Sequence, residues 1–124
     1  MKKAASLIIF VLTIFVITLS CKISYPVKFL DLNEKIIKER TRWVLRLEDK
    51  SGFLIKGENL SQDTLIINHG NKTSIVPPRD LFNISIEQAS QAEILNRTYH
   101  DITIRIKINY YKTNLIQEVY ETTN

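Results

Sequence analysis

The chain has 124 residues, with 17 Lys or Arg, 13 Asp or Glu and a formal net charge of +4. Three glycines, three prolines and the lack of repeats exclude a collagen-like stalk, a solenoid and a largely disordered chain. One cysteine excludes an internal disulfide, and the small net charge predicts no nucleic-acid partner.

The first 21 residues have the layout of an export signal. Lys2 and Lys3 precede an uncharged apolar core from Leu7 to Leu19. This core is shorter than the roughly 20 apolar residues that a transmembrane helix needs. An uncleaved N-terminal anchor stays open as an alternative, because the run from Ala4 to Cys21 reaches 18 residues.

The end of this core, Thr18-Leu19-Ser20-Cys21, resembles the lipobox of bacterial lipoproteins. The resemblance implies that residues 1–20 are a signal peptide and that Cys21 carries diacylglycerol and a fatty acid such as palmitate. It also implies a lipid-anchored protein of the bacterial cell envelope. The outer membrane is favoured over the inner one because no Asp follows the cysteine. The alternative is an ordinary secretory signal with a stray thiol.

The segment from the cysteine to residue 40 is predicted to contain a tether and one short element. Phe29, Leu32 and Ile36 recur at helical spacing, and Asp31 to Glu34 has the sequence of a helix capping box. A helix over residues 32–40 and an extended strand are both compatible with this pattern.

From Thr41 the apolar period changes to two, which is typical of half-buried strands. Gly52 is able to take a positive φ in the first turn, and Gly57 predicts a bulge or a bend. Turn residues separate five predicted strands, of which the first four are expected to form a meander: Thr41 to Glu48, Phe53 to Glu58, Thr64 to Asn68, Thr73 to Val76 and Phe82 to Ile86.

These five short strands, with Gly57 in the second and Pro77-Pro78-Arg79-Asp80 before the fifth, resemble the small SH3-like or Sm-like β-barrel. The resemblance implies a barrel over residues 41–87 that serves as a binding or assembly platform without catalysis.

The remainder is predicted to be a linker over residues 88–97, of which Gln88 to Asn96 could also form one to two helical turns, and a β-hairpin over residues 98–122. The first strand of the hairpin, Ile102 to Tyr110, alternates isoleucine with polar residues, and Leu115 to Tyr120 returns. An isolated hairpin is unstable in water, so the barrel and the hairpin are expected to share one core. The predicted fold is therefore mainly β, with a single domain over residues 41–124.

Two sets of basic residues are candidate interaction sites. Arg40, Arg42 and Arg46 are predicted to share the strand face opposite Trp43, either as a solvated face or as a surface for anionic lipid or protein. Arg105 and Lys107 are candidate gatekeepers of an edge strand that pairs with a second copy or another envelope protein. The alternative is that this strand closes the core.

The sequence contains few residues suited to catalysis or metal binding. His69 lies in a predicted turn, and His100 and Asp101 are neighbours on a predicted strand, so they point to opposite faces. We therefore expect no metal, no cofactor and no catalytic residues. Four Asn-x-Ser/Thr sites are treated as incidental: Asn59, Asn71, Asn83 and Asn96.

The sequence is therefore read as a lipid-anchored, non-enzymatic binding module of the cell envelope. An inhibitor or immunity-type lipoprotein with a protein partner is one alternative, and a small envelope enzyme is another.

Overall fold

A computed structural model describes residues 27–111 and 113–122. The predicted lipid-attachment residue, Cys21, lies outside them. Nine strands occur in the described part: β1 (Val27–Ile37), β2 (Thr41–Leu47), β3 (Phe53–Asn59), β4 (Leu65–His69), β5 (Lys72–Val76), β6 (Leu81–Ile86), β7 (Ala92–Leu95), β8 (Ile102–Tyr111) and β9 (Leu115–Glu121). The mainly β prediction is confirmed. No helix among these residues could cross a membrane.

The strands form two antiparallel sheets. Sheet A has the order β1-β8-β3-β6, and sheet B has the order β5-β4-β7-β2-β9. The first eight strands follow the strand order of a jelly roll, in which two four-stranded sheets pack face to face, and β9 is added beside β2. Of the eight pairs of consecutive strands in the described part, β4 and β5 alone are hydrogen-bonded to each other.

This topology corrects three predictions. The five strands of residues 41–87 do not close into an SH3-like barrel, because β2, β4 and β5 lie in sheet B while β3 and β6 lie in sheet A. For the same reason they do not form a meander. The last two strands do not form a hairpin, since β8 pairs with β1 and β3 whereas β9 pairs with β2.

One hydrophobic core lies between the sheets. Four isoleucines of β8 are fully buried there, and they pack in the same cluster as Trp43 and the inward residues of the other strands. These isoleucines are Ile102, Ile104, Ile106 and Ile108. The prediction that both units share one core is confirmed, and so is the alternative that the isoleucine face of β8 closes it.

Two further segments are strands: the one for which the sequence left helix and strand open, and one that was predicted to lie in the linker. β1 takes the extended form rather than the helical one, and a register shift between Leu32 and Lys35 interrupts its pairing with β8. The predicted linker contains β7, which lies between β4 and β2 at the centre of sheet B. Burial of Ala92 and Ile94 outweighs the weak strand propensity of a polar, Ala-containing segment.

Gly52 and Gly57 are required because of close packing. Gly57 causes no bulge, since β3 keeps its register with both neighbours. A methyl group there would instead overlap the carbonyl oxygen of Arg105 and lie 2.8 Å from the ring of Phe82. In the β2–β3 turn, Lys50 and not Gly52 has a positive φ, of 63°. Gly52 is needed because a Cβ would approach the carbonyl oxygen of Ile86 to 2.7 Å.

Two of the four Asn-x-Ser/Thr sites anchor loops at one end of the sandwich. Asn59 and Asn96 are fully buried at the ends of β3 and β7. Each side-chain oxygen accepts from the backbone N–H and hydroxyl two residues later, in Ser61 and Thr98 respectively. Each side-chain nitrogen donates to carbonyl oxygens of neighbouring segments. Both loops therefore use the same arrangement of an asparagine and a hydroxyl residue.

Candidate binding surfaces

The predicted basic face on β2 is present only in part. Arg42 and Arg46 point to the outer face of sheet B, opposite the buried Trp43. Arg40 lies instead in the β1–β2 turn with a φ of 56°, where its Nη1 donates to the carbonyl oxygen of Arg97 at 3.0 Å. The three arginines therefore do not form one surface.

The arginines on sheet B already have acidic partners. Nη1 of Arg42 is 3.4 Å from Oε1 of Glu93, and Nη2 of Arg46 is 3.0 Å from Oε1 of Glu118. Between these pairs, Val44 of the same outer face is only 4% exposed. The two β2 arginines on the outer face of sheet B are thus already paired with glutamates of this chain.

A polar cleft of about 910 Å³ lies at one end of sheet B. The β2–β3 turn and the β6–β7 loop form one wall, joined by a hydrogen bond from the Ala89 N–H to the Lys50 carbonyl oxygen at 2.7 Å. Two of its lining residues, Arg46 and Glu93, already form the ion pairs described above. Its remaining polar groups are mostly exposed amides, hydroxyls and lysines.

Arg105 and Lys107 lie on the outer face of sheet A. Their strand, β8, is flanked by β1 and β3, so the prediction that it is an edge strand is wrong. The reason is that residues 27–37 form an additional strand on the far side of β8. The two basic residues instead line a groove of about 530 Å³, which we call the sheet A groove.

Two lysines lie side by side in the sheet A groove. Lys56 of β3 is directly opposite Lys107 of β8 in the strand register. Asp31 of β1 is the neighbour of Lys107 on its other side, whereas Lys56 has the neutral Asn83 on its other side. Like charges directly opposite each other in a sheet are destabilising. Lys56 is therefore the cation on this face with the poorest compensation.

The next row of the groove is balanced. Glu58 is opposite Arg105, and Oε2 of the glutamate lies 3.6 Å from Nη1 of the arginine. The lining has three basic and two acidic residues, and its single excess positive charge centres on Lys56 because Asp31 lies beside Lys107.

Exposed apolar side chains flank these lysines. Phe29 of β1 is 59% exposed, and Nζ of Lys107 lies 4.7 Å from the centroid of its ring. On the other side, Leu81 of β6 is 71% exposed and lines the groove together with Phe82 and Gly57. The groove thus combines positive charge with apolar surface, a pairing that favours an occupant with acidic and apolar groups.

Neither histidine belongs to a recognisable catalytic arrangement. Nε2 of His69 is 3.1 Å from Oγ of Ser74, but the small cavity that His69 lines does not include the serine. His100 lies in the loop before β8 rather than on a strand, with Nδ1 3.9 Å from Oδ2 of Asp63. The described residues contain no group of three or more His, Cys, Asp or Glu side chains placed to hold a metal ion.

Sequence reasoning missed Lys56 and Leu81 of the sheet A groove, and Phe29 whose ring lies beside Lys107. The alternation of β3 already places Lys56 on the polar face, but its position opposite Lys107 depends on the pairing of β3 with β8. Phe29 was assigned to a predicted helix or tether, so its outward position was not recognised.

Comparison with protein-family models, with curated proteins and with solved structures finds no match to this chain.

Proposed function

We propose that this protein is a lipid-anchored module of the bacterial cell envelope that binds an acidic protein partner in the sheet A groove and acts without catalysis. The observation that carries the proposal is the placement of Lys56 directly opposite Lys107 within a groove bordered by exposed apolar side chains.

The contrast between the two outer faces supports the choice of surface. On sheet B the strand arginines are paired with glutamates, so an incoming anion would have to displace an internal partner. On sheet A the two central lysines repel each other, so a carboxylate placed between them would relieve an existing cost. The exposed rings and methyl groups of Phe29 and Leu81 would add apolar contact area.

The anchor is proposed from the resemblance of residues 18–21 to a lipobox. Cys21 lies six positions before Val27, the first residue of β1. Six residues span at most about 20 Å, so acylation of the cysteine would keep the domain close to the bilayer. Two or more acyl chains would make this attachment essentially permanent. We favour the outer membrane, as the residues after the cysteine suggest.

The groove is tested by photocrosslinking in the native membrane. A photoreactive amino acid replaces Leu81 in the groove, and a matched variant carries it at Ile75, which is 68% exposed on the outer face of sheet B. We expect a discrete protein adduct from position 81 that position 75 does not give, with a partner whose contact segment is acidic. A lipid adduct, or no adduct specific to position 81, would contradict the proposal.

Titration of the purified partner then tests the charge argument. Lys56→Glu should weaken binding by about tenfold or more. The same change should raise the free energy of unfolding by about 0.2 to 1 kcal/mol, because it places a glutamate opposite Lys107. Lys50→Glu in the β2–β3 turn is the matched control and should leave binding unchanged. Intact mass measurement of the N-terminal peptide tests the anchor separately.

A further inference from the structure

Strand β9 has the longest uninterrupted edge of the described strands. Of the four strands at sheet edges in the described part of the chain, β1 is broken by its register shift, β5 has five residues and begins with Lys72, and β6 has six residues. β9 has seven residues in continuous register with β2, and its charged residues are Glu118 and Glu121. Edges of this kind pair with other strands unless the protein blocks them.

The backbone groups that point out from this edge can be assigned. The carbonyl oxygen of Asn114 accepts from the N–H of Glu48, and the N–H of Thr122 donates to the carbonyl oxygen of Arg40. The N–H and C=O of one residue point to the same side of an antiparallel strand, and this side alternates along the chain. The even-numbered residues of β9 therefore bond to β2. The odd-numbered ones present their N–H and C=O groups to the open edge: Leu115, Gln117, Val119 and Glu121.

The side chains of Gln117, Val119 and Glu121 are exposed, whereas Leu115 is partly buried and packs against the core. Val119 is directly opposite Trp43 of β2, yet it is 62% exposed while the tryptophan is 1% exposed. Gln117 is likewise exposed beside the fully buried Leu45. β9 thus extends sheet B beyond the edge of sheet A and leaves apolar surface uncovered next to unpaired backbone groups.

We propose that the open edge of β9 pairs antiparallel with the same strand of a second copy of this chain, about a two-fold axis through Gln117. In this register, the outward N–H and C=O of Gln117 in one copy bond to the C=O and N–H of Gln117 in the other. Leu115 of each copy then lies opposite Val119 of the other. The two glutamines meet side by side, and the exposed Val119 of each copy lies beside the partly buried Leu115 of the other.

A second copy fits this edge because the sequence of β9 is complementary to itself in that register. A two-fold axis through Glu118 would instead place two carboxylates directly opposite each other, which is unfavourable. The pairing would join the two B sheets into one sheet of ten strands, and it leaves the sheet A groove open. It therefore does not depend on the partner proposed for that groove.

The register is tested by cysteine crosslinking of the full chain in a Cys21→Ser background, in a neutral detergent. Gln117→Cys should form a disulfide-linked dimer, because facing residues of a hydrogen-bonded pair have Cα atoms about 5.5 Å apart. Leu115→Cys and Val119→Cys should each stay uncrosslinked alone and form a heterodimer when mixed. The proposal would be overturned if Leu115→Cys and Val119→Cys each formed homodimers and their mixture gave no heterodimer. It would also be overturned if none of the three variants formed a disulfide.

Light scattering of the full chain gives an independent measurement. Val119→Lys adds a charge to the open edge and should weaken self-association by about tenfold or more, with unchanged circular dichroism. Leu81→Lys on the β6 edge is the matched control and should associate like the unmodified chain. A strictly monomeric unmodified chain, or a dimer that is lost with Leu81→Lys and kept with Val119→Lys, would show that β9 is not the pairing edge.

Discussion

Replacing Asn59 by alanine should destabilise the protein far more than its place at the end of a strand suggests. Its side-chain nitrogen donates to the carbonyl oxygens of Asp63 at 2.8 Å and Val76 at 3.1 Å. Its oxygen accepts from the N–H of Ser61 at 3.0 Å. Alanine removes all of these bonds from a fully buried position and supplies no replacement.

The expected cost follows from the groups that lose a partner. A buried polar group left without a hydrogen bond costs about 1 to 3 kcal/mol. The carbonyl oxygen of Val76 lies in the buried part of this network, while the others are partly buried and can recover bonds to water. We therefore expect a loss of about 3 kcal/mol in the free energy of unfolding. For a domain of this size, that loss lowers the melting temperature by about 12 to 24 °C.

The assay is equilibrium unfolding in urea and by heat, followed by tryptophan fluorescence because Trp43 is buried in the core. Asn83→Ala is the matched control, since Asn83 also belongs to an Asn-x-Ser site but is exposed on β6. The control should change stability by less than about 0.5 kcal/mol. If Asn59→Ala stays within 1 kcal/mol of that control, the buried asparagine network is not a major source of stability.

Three further changes have distinct expected outcomes by the same unfolding measurement. Gly57→Ala should cost about 2 to 3 kcal/mol, because the added methyl group overlaps the backbone of β8; a neutral result would mean that the strands separate freely there. Ile106→Ala should cost about 2 to 5 kcal/mol, whereas Ile75→Ala on the exposed face should cost less than about 0.5 kcal/mol. Arg46→Ala should cost at most about 1 kcal/mol and less in high salt, since its pair with Glu118 is partly exposed; a larger, salt-independent loss would point to packing instead.

Strand positions with strict alternation were predictable from the sequence. In β8, isoleucines at every second position define an inward face whatever strands lie beside them, and all four are fully buried. The same reasoning located β2 and β6. β7 was missed because four residues with Ala and Glu carry too little pattern, and its burial at the centre of sheet B depends on β2 and β4.

The candidate groove could be predicted only in part. The polar side of β8 correctly indicated Arg105 and Lys107 as outward residues, but the sequence could not show which strands flank them. With β1 and β3 on either side, these residues line a groove with Lys56 rather than guard an edge. The open edge belongs instead to β9, whose pairing with β2 joins residues about 70 positions apart in the chain.

The amino-acid sequence by itself determined that this chain is mainly β, which face of its regular strands is apolar, and where its principal turns lie. Tertiary structure alone decided that the strands form two sheets, which of them are neighbours, and which surfaces stay open. The physical reason is that side-chain alternation and turn propensity are local, whereas strand pairing is selected by the burial of a shared core between distant segments.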